Sequence, residues 1–273
     1  MTSKNSRRLP RHRDAPTLSP DVYQKRLGEE QVRLQRIQQA YIHTGDRAMI
    51  VLEGYDAAGK GGVIRRMSSQ LDPRSFKVWP IAAPNDTERR QHYLQRFWLR
   101  VPEHGHIAVF DRSWYGRLLV ERVEGLASRA VWRRAYREIN EFERQLVDDG
   151  VHVIKVFLKV SHKEQLRRLR ERLEVPHKQW KLTHEDFRNR AKRAKYDKAG
   201  ADMLMETSTV PAPWYVIPAD NKLYARVETL RCRGNCANWL AESSASKSRN
   251  SENRSRLLSV RLDHSPKIWC LRP

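Results

Sequence analysis

Apolar positions in this chain switch between two periods, and each switch marks the edge of an element. Over residues 21–43, Val22, Leu27, Val32, Leu34, Ile37 and Ile42 recur at roughly helical spacing among charges, which predicts an amphipathic helix. Residues 47–52, RAMIVL, form instead a compact apolar run of strand length. That run leads at once into GYDAAGKGG, with a helix expected over residues 63–71. A strand at 76–80, a helix around 88–99 and an apolar strand at 106–110 ending at Asp111 come next. Helices near 117–123 and 131–148 precede a further strand, VHVIKVFL, at 151–158, and a strand at 214–217 with a helix from 223 to about 240 closes the pattern. Strands alternating with helices predict an α/β fold, a parallel sheet between two helical layers.

Between residues 161 and 205 the helical pattern is interrupted twice. Pro176 makes one break, and a start signal at Thr183 makes the other, where Asp186 completes a capping box only imperfectly. This stretch reads as a helical insertion in a domain spanning residues 20–240. Residues 1–19 are basic, polar and proline-containing and are expected to form a flexible arm; residues 241–273, rich in serine and basic residues, are expected to be a disordered tail. There is no internal repeat. No apolar run approaches the roughly 20 residues of a membrane span and no secretory signal opens the chain, so a soluble, cytoplasmic protein without a membrane partner is expected. Cys232, Cys236 and Cys270 are too few for a disulfide framework and read as reduced thiols.

Charge narrows the partner. Lysine and arginine number 53 against 32 acidic residues, a formal +21, which points to a polyanion. Charge alone does not choose among nucleic acid, a membrane surface and polyphosphate. The loop GYDAAGKG adds a local pattern. Its spacing, G-x-x-x-x-G-K, lies between a predicted buried strand and a predicted helix, the setting of a phosphate-binding loop (P-loop). The backbone N–H groups of Gly54, Ala57, Ala58, Gly59, Lys60, Gly61 and Gly62 are candidates to cradle phosphate, with Lys60 adding a mobile charge.

Two features depart from the ordinary loop. Gly61 stands where a Ser or Thr hydroxyl usually holds magnesium, and Asp56 places a carboxylate in an anion cradle. A metal shared between Asp56 and substrate would resolve the repulsion; a solvent-facing loop aspartate is the plainer alternative. The run HIAVFDR has the form of a Walker B strand that delivers Asp111 at its C-terminal edge, with Arg112 and Arg117 on the loop beyond. Residues 159–198 hold 14 basic against 6 acidic residues. They could close over a long anion as a lid, with Trp180, Phe187 and Tyr196 as its small apolar core.

GYDAAGKGG, FDRSWYGR and PHKQWKLTHEDFRNR, in that order, resemble the polyphosphate kinase 2 family, and the likeness runs from about Asp21 to Leu240. The resemblance implies a thymidylate-kinase-like P-loop fold with a helical lid, inorganic polyphosphate and a nucleotide as substrates, and a homo-oligomer, dimer or tetramer. It also implies Mg²⁺ as cofactor, replaceable by Mn²⁺, with Asp56 and Asp111 as its ligands. By position, Asp56, Lys60, Asp111, Arg112 and Arg117 match the family's catalytic motifs, and Lys178, Lys181, Arg188 and Arg190 its basic lid contacts. WYGRLLVERVEG is similar to the branch that phosphorylates AMP to ADP; branches that make ATP from ADP share nearly all the chemistry. After about Arg231 the expected closing helix degrades into RCRGNCANWLAESSASK, a departure from the family pattern. Two rivals stand beside this reading. An ATP-dependent kinase of small molecules is disfavoured by the long basic lid, and a nucleic-acid-binding protein by the lack of a recognised module with exposed aromatics among its basic residues.

Overall fold

The computed structural model describes residues 16–231. Five parallel strands, β1 (Arg47–Gly54), β2 (Phe76–Pro80), β3 (Ile107–Asp111), β4 (Val151–Lys159) and β5 (Trp214–Pro218), form one sheet in the order β2-β3-β1-β4-β5. The central strand, β1, is buried along its interior, as its unbroken apolar run requires. Its register sets Leu52 beside Asp111 on one side and Gly54 beside Leu158 on the other. The loops after β1 and β3 therefore leave the same edge of the sheet side by side.

Helices cover both faces. Helices α1 (Pro20–Thr44), α2 (Lys60–Ser68) and, past β5, α11 (Lys222–Arg231) pack together on one. On the other lie α5 (Val120–Glu124), α6 (Arg129–Asp148) and α10 (Arg193–Thr207). This is the three-layer arrangement expected. The arm expected over residues 1–19 is structured at its end: Leu18 is buried, and the Ser19 hydroxyl caps α1 by accepting from the Val22 N–H. Residues 1–15 of the arm, the end of the closing helix, all three cysteines and the tail lie outside the described residues.

Three expectations need correction. The helix expected at 88–99 is two short ones, α3 (Asp86–Arg89) and α4 (Gln95–Trp98). Glu88 is drawn back to the Asn85 N–H in a capping box at the start of α3, and the Leu94 N–H turns to the His92 imidazole in the break. The helix expected at 117–123 begins instead as a 3₁₀ turn, Trp114–Arg117, capped by Ser113, before α5. Within the insertion, Trp180 and Phe187 form no core: they are 77% and 52% exposed. The interruptions at Pro176 and Thr183 leave α8 (Pro176–Gln179) and α9 (His184–Ala191) too short to bury both faces. Only Tyr196 of that trio packs, its hydroxyl donating to Glu124 and Asn189.

A charged pair is buried between the sheet and α6. Lys155 of β4 is fully buried and donates to Glu143 of α6 (2.6 Å), the Tyr115 hydroxyl (3.0 Å) and the Thr207 carbonyl (2.7 Å), so all three ammonium protons are placed. The other Glu143 oxygen accepts from Trp114 Nε1 (3.0 Å) and Tyr115 Oη (2.6 Å). Burial pulls the lysine pKa down and the glutamate pKa up; their mutual attraction opposes both shifts, and the Tyr115 and Trp114 donors oppose the glutamate's. Removing one partner leaves the other charge buried and alone. Lys155→Met is expected to cost about 3–5 kcal/mol and Lys155→Met with Glu143→Gln distinctly less than the sum of the single changes, measured by denaturant unfolding.

Candidate active site

The loop after β1 is shaped by backbone conformations that its residues make possible. Gly59, the N-cap of α2, has φ 113°, and Ala57 has φ 60°. The helix starts at Lys60, three residues earlier than its apolar pattern indicates, so its first turn belongs to the loop; of the expected cradle amides, Gly62 N–H donates to the Gly59 carbonyl at 3.0 Å and Ala58 N–H to the Tyr55 carbonyl at 3.1 Å. Lys60 Nζ donates to the Gly54 carbonyl at 3.2 Å, which folds the lysine back across the loop. Gly54 has a different task from its neighbours. With φ 141°, a Cβ there would lie 2.5 Å from the Leu158 carbonyl oxygen, so glycine lets β1 approach β4 just where the loop departs.

The loop is held from behind by α7 (His162–Glu174), the first helix of the expected insertion. Arg168 of α7 is buried and donates to the carbonyls of Ala57 (2.9 Å), Ala58 (3.1 Å), Ala219 (2.6 Å) and Asp220 (2.9 Å). Gln165 donates to the Asp56 carbonyl at 3.0 Å and is itself held by Arg193 (2.7 Å). Saturating these carbonyls fixes the loop's outer side, which favours amides turned to the cavity. α7 and the buried part of α10 thus belong to the body, and the overhanging piece is mainly α8 and α9.

Beyond β3, Arg112 has φ 67°, and its N–H donates to the Leu52 carbonyl, which pins the turn onto β1. Its guanidinium donates to Asp56 at 3.1 Å. Burial opposes the Arg112 charge, but Asp56, Glu53 and Asp111 around it outweigh that and hold its pKa above the ordinary arginine value. Glu53, one residue before the loop, is buried and accepts from Ser113 at 2.8 Å; burial raises its pKa despite Lys60 nearby. Arg117 pairs with Glu121 (3.0 Å) and lies 4.3 Å from the centre of the Tyr93 ring.

Asp56 is therefore no solvent-facing loop aspartate. Its second oxygen accepts from Asn189 of α9 at 2.7 Å, which joins the loop to the overhanging helix. Arg188 and Lys192 pair with Glu124 of α5 at 3.4 and 2.5 Å. At the other end Lys178 pairs with Glu171 of α7, and Lys181 lies over the Trp180 ring. The expected box at Thr183 closes through the Asp186 carboxylate, which accepts the Thr183 N–H at 3.0 Å.

A cavity of about 1630 Å³ brings most of the expected residues together: Asp56 to Gly62, Asp111, Arg112, Arg117, Lys178, Lys181 and Arg188 all line it. Two candidates lie off this lining. Gly54 faces a small adjoining space beside Tyr55 and Phe157, and Arg190 donates to the His162 carbonyl (3.2 Å) and to Gln165 (3.3 Å) at the base of the overhang. The sequence reading missed Glu53, Arg168, Glu124, Asn189 and Tyr93. A glutamate ending an apolar strand was a signal for the first; nothing local marks the others, because the groups they hold at the site come from distant parts of the chain.

A parallel sheet with a glycine-rich loop from its central strand, an acidic residue ending the neighbouring strand and helices over the loop defines the P-loop kinase fold. The chain belongs to the polyphosphate kinase 2 family, whose model matches residues 17–240. It is 49% identical over 214 residues to a polyphosphate:AMP phosphotransferase of Pseudomonas syringae pv. tomato, covering 78% of this chain and 43% of that protein. An ADP-polyphosphate phosphotransferase of Pseudomonas aeruginosa is 40% identical over 222 residues, covering 81% of this chain and 73% of that protein. The crystal structure of a polyphosphate kinase 2 from Arthrobacter aurescens superposes with a TM-score of 0.76 at 35% identity, covering 79% of this chain and 78% of the other. The chain thus spans less than half the length of the AMP-named relative.

The two glycines of the loop that differ most in their surroundings give a direct test of its construction. Gly54→Ala must push β1 from β4 and is expected to lose about 1–3 kcal/mol of stability, as overpacking does. Gly61→Ala meets nothing within 4 Å and is expected to fold with stability within about 0.5 kcal/mol of the parent, both read from denaturant midpoints.

Proposed function

We propose that this protein transfers a phosphoryl group from inorganic polyphosphate to a nucleoside monophosphate, with AMP as the acceptor and ADP as the product. The observation that supports this most directly is the convergence of Lys60, Arg112, Arg117 and the overhang's Lys178, Lys181 and Arg188 on one cavity with the P-loop. AMP rather than ADP rests on the name of the relative at 49% identity against that of the relative at 40%.

In the reaction an oxygen of the acceptor phosphate bonds to the terminal phosphorus, and the bond from that phosphorus to the bridging oxygen breaks. The shortened polyphosphate keeps the electron pair. The attacking oxygen is already ionised, so no general base is required, and the protein's work is alignment and charge stabilisation. Lys60 is anchored within reach of the loop by Gly54, and Arg112 is aimed by Asp56. Arg117 is held between Glu121 and the Tyr93 ring. α8 and α9 cover the chain and exclude water.

The residues present fit a magnesium ion bound together with substrate. Among the described residues no three His, Cys, Asp or Glu side chains stand together as a ligand set. Asp56 and Asp111 do line the same cavity, and Mg²⁺ commonly takes one or two carboxylates, keeps several waters and fills its remaining positions with substrate phosphate. When bound, such an ion would neutralise charge on the transferring group. Mn²⁺ has the same hard-oxygen preference. Among the described residues no helix is long and apolar enough to cross a membrane. A cytoplasmic location goes with the reading, since the acceptor proposed is a cytoplasmic nucleotide.

Lys60→Ala and Asp111→Asn are each expected to lower turnover with polyphosphate and AMP by about 10²-fold or more while the melting temperature is kept. Near-parental turnover in either variant would remove the assignment.

The overhang makes a separate prediction. Lys181→Ala with Arg188→Ala is expected to raise KM for polyphosphate at least about tenfold and KM for AMP far less, since both side chains offer charge-assisted hydrogen bonds to the phosphate chain. Equal losses for both substrates in steady-state kinetics would make this segment a solvated surface.

A further inference from the structure

The Asp56 carboxylate is gripped from two directions. One oxygen accepts from Arg112 of the turn after β3 at 3.1 Å and the other from Asn189 of α9 at 2.7 Å, while the Asp56 carbonyl is fixed separately by Gln165. A single donor leaves a carboxylate free to swing about its Cβ–Cγ bond; two donors, one on each oxygen, fix its plane. Neither uses up the group. A carboxylate oxygen has about two acceptor positions, so each oxygen keeps one to offer an ion.

Asn189 reaches Asp56 from behind. Asp56 lines the large cavity, whereas Asn189 and Tyr196 meet it from the small adjoining space of about 70 Å³. That space is far below the roughly 300 Å³ of a small-molecule site, so the pair is placed to act on Asp56 and not on a nucleotide. The Asn189 amide is itself aimed. Its oxygen accepts from the Tyr196 hydroxyl at 3.1 Å, which turns the NH₂ group to the carboxylate; the opposite flip would set two acceptors face to face. Tyr196 stands on α10 three residues past Arg193, whose buried guanidinium holds Gln165 and the Val160 carbonyl. The bonds from Tyr196 to Asn189 to Asp56 thus run from the body, through the end of the overhang, to the loop. A movement of α9 away from the loop breaks the last of them and leaves the carboxylate on Arg112 alone.

We infer that Asn189, aimed by Tyr196, is a positioning residue for the divalent ion: it holds the Asp56 carboxylate in its ligating orientation while the overhang is down, so that ion binding and closure are coupled. This rests on the reading that Asp56 binds the ion. Hydrogen-bond partners of ligating carboxylates fix their direction, and here that partner comes from the one part of the site that overhangs it. Coupling of this kind is reciprocal. If closure tightens the ion, closure must be favoured by the ion by the same factor. The arrangement ties charge neutralisation to the exclusion of water, because the site that holds the ion well is the site that is covered.

Asn189→Leu removes the amide at similar volume, Asn189→Gln keeps an amide, Tyr196→Phe removes the aiming hydroxyl, and Asp56→Asn removes the ligand charge. Two readouts need no turnover. One is the Mn²⁺ dissociation constant at saturating AMP without polyphosphate, from the electron paramagnetic resonance signal of the free ion; the other is hydrogen exchange over residues 176–191 with and without Mn²⁺. A third is the free Mg²⁺ that half-saturates the rate with polyphosphate and AMP. For Asn189→Leu the Mn²⁺ dissociation constant and the half-saturating Mg²⁺ are expected to rise at least about tenfold, the scale on which an outer partner of a metal ligand acts. KM for AMP and for polyphosphate at saturating Mg²⁺ are expected to change less than about twofold, and the slowing of exchange that Mn²⁺ confers on the parent's overhang to disappear. Tyr196→Phe is expected to show the same pattern more weakly and Asn189→Gln to restore part of the affinity. Parental Mn²⁺ affinity in Asn189→Leu, a loss confined to the substrate KM values, or a parent whose overhang exchanges alike with and without Mn²⁺ would overturn the inference and leave Asn189 an ordinary overhang contact. If Asp56→Asn binds Mn²⁺ as the parent does, the reading of Asp56 as a ligand fails; a loss in Asp56→Asn with none in Asn189→Leu sinks the positioning role alone. Should Asn189→Leu melt well below the parent, Tyr196→Phe carries the test with the same contrast between ion and substrates.

Discussion

Lys155 and Glu143 are the two buried charges that tie together the sheet, α6 and the turn leading to Arg117. One belongs to the sheet and the other to α6, and between them they hold Trp114 and Tyr115, the first residues of the turn that ends at Arg117. The same ammonium holds the Thr207 carbonyl, where the chain leaves α10 and returns to the sheet. A hydrophobic pair of similar volume could fill this space and save the cost of desolvating two ions. It could not give three separate segments one set of directional bonds. The aromatic shell around the pair, with Trp214 donating to Thr207 and Trp114 packed edge-on against Phe142, makes that set rigid.

A second constraint is repulsion. A site that gathers a dozen basic side chains must be stable before any phosphate arrives, and here interleaved carboxylates supply the balance. Glu124 takes Arg188 and Lys192, Glu171 takes Lys178, Glu121 takes Arg117 and Asp56 takes Arg112. Arg168 and Arg193 do different work, buried and spent on backbone carbonyls and on Gln165. Counting arginines in the insertion therefore overstates the charge offered to substrate.

Much of the fold could be read from the chain because parallel strands buried on both faces are mostly apolar runs, as β1 and β3 are and as β4 is apart from His152 and Lys155. The edge strands β2 and β5 are only partly buried and were legible as short runs rich in aromatic and β-branched residues, each ending at a proline. Helix boundaries failed where side chains rather than periodicity decide them, as at Asn85 and Glu88. The P-loop, Asp111 and the basic insertion were legible as local patterns. Arg168, Glu124 and Asn189 were not, since each acts on a partner far along the chain and looks like ordinary helix surface. The fate of Trp180 and Phe187 shows the converse: apolar residues in a short, broken helix have nothing to be buried against, and their composition alone misplaces them.

The pairing of overhang cations with Glu124 and Glu171 has a thermodynamic consequence. Basic surfaces that bind polyanions usually draw much of their driving force from counterions released into solution. At this overhang a phosphate of the proposed donor that reached Arg188 or Lys178 would displace a tethered carboxylate, which stays with the protein, so binding there would be an exchange between two anions. Release would then come mainly from the polyanion's own atmosphere. Glutamates freed in this way would face water, and their rehydration would become part of the driving force.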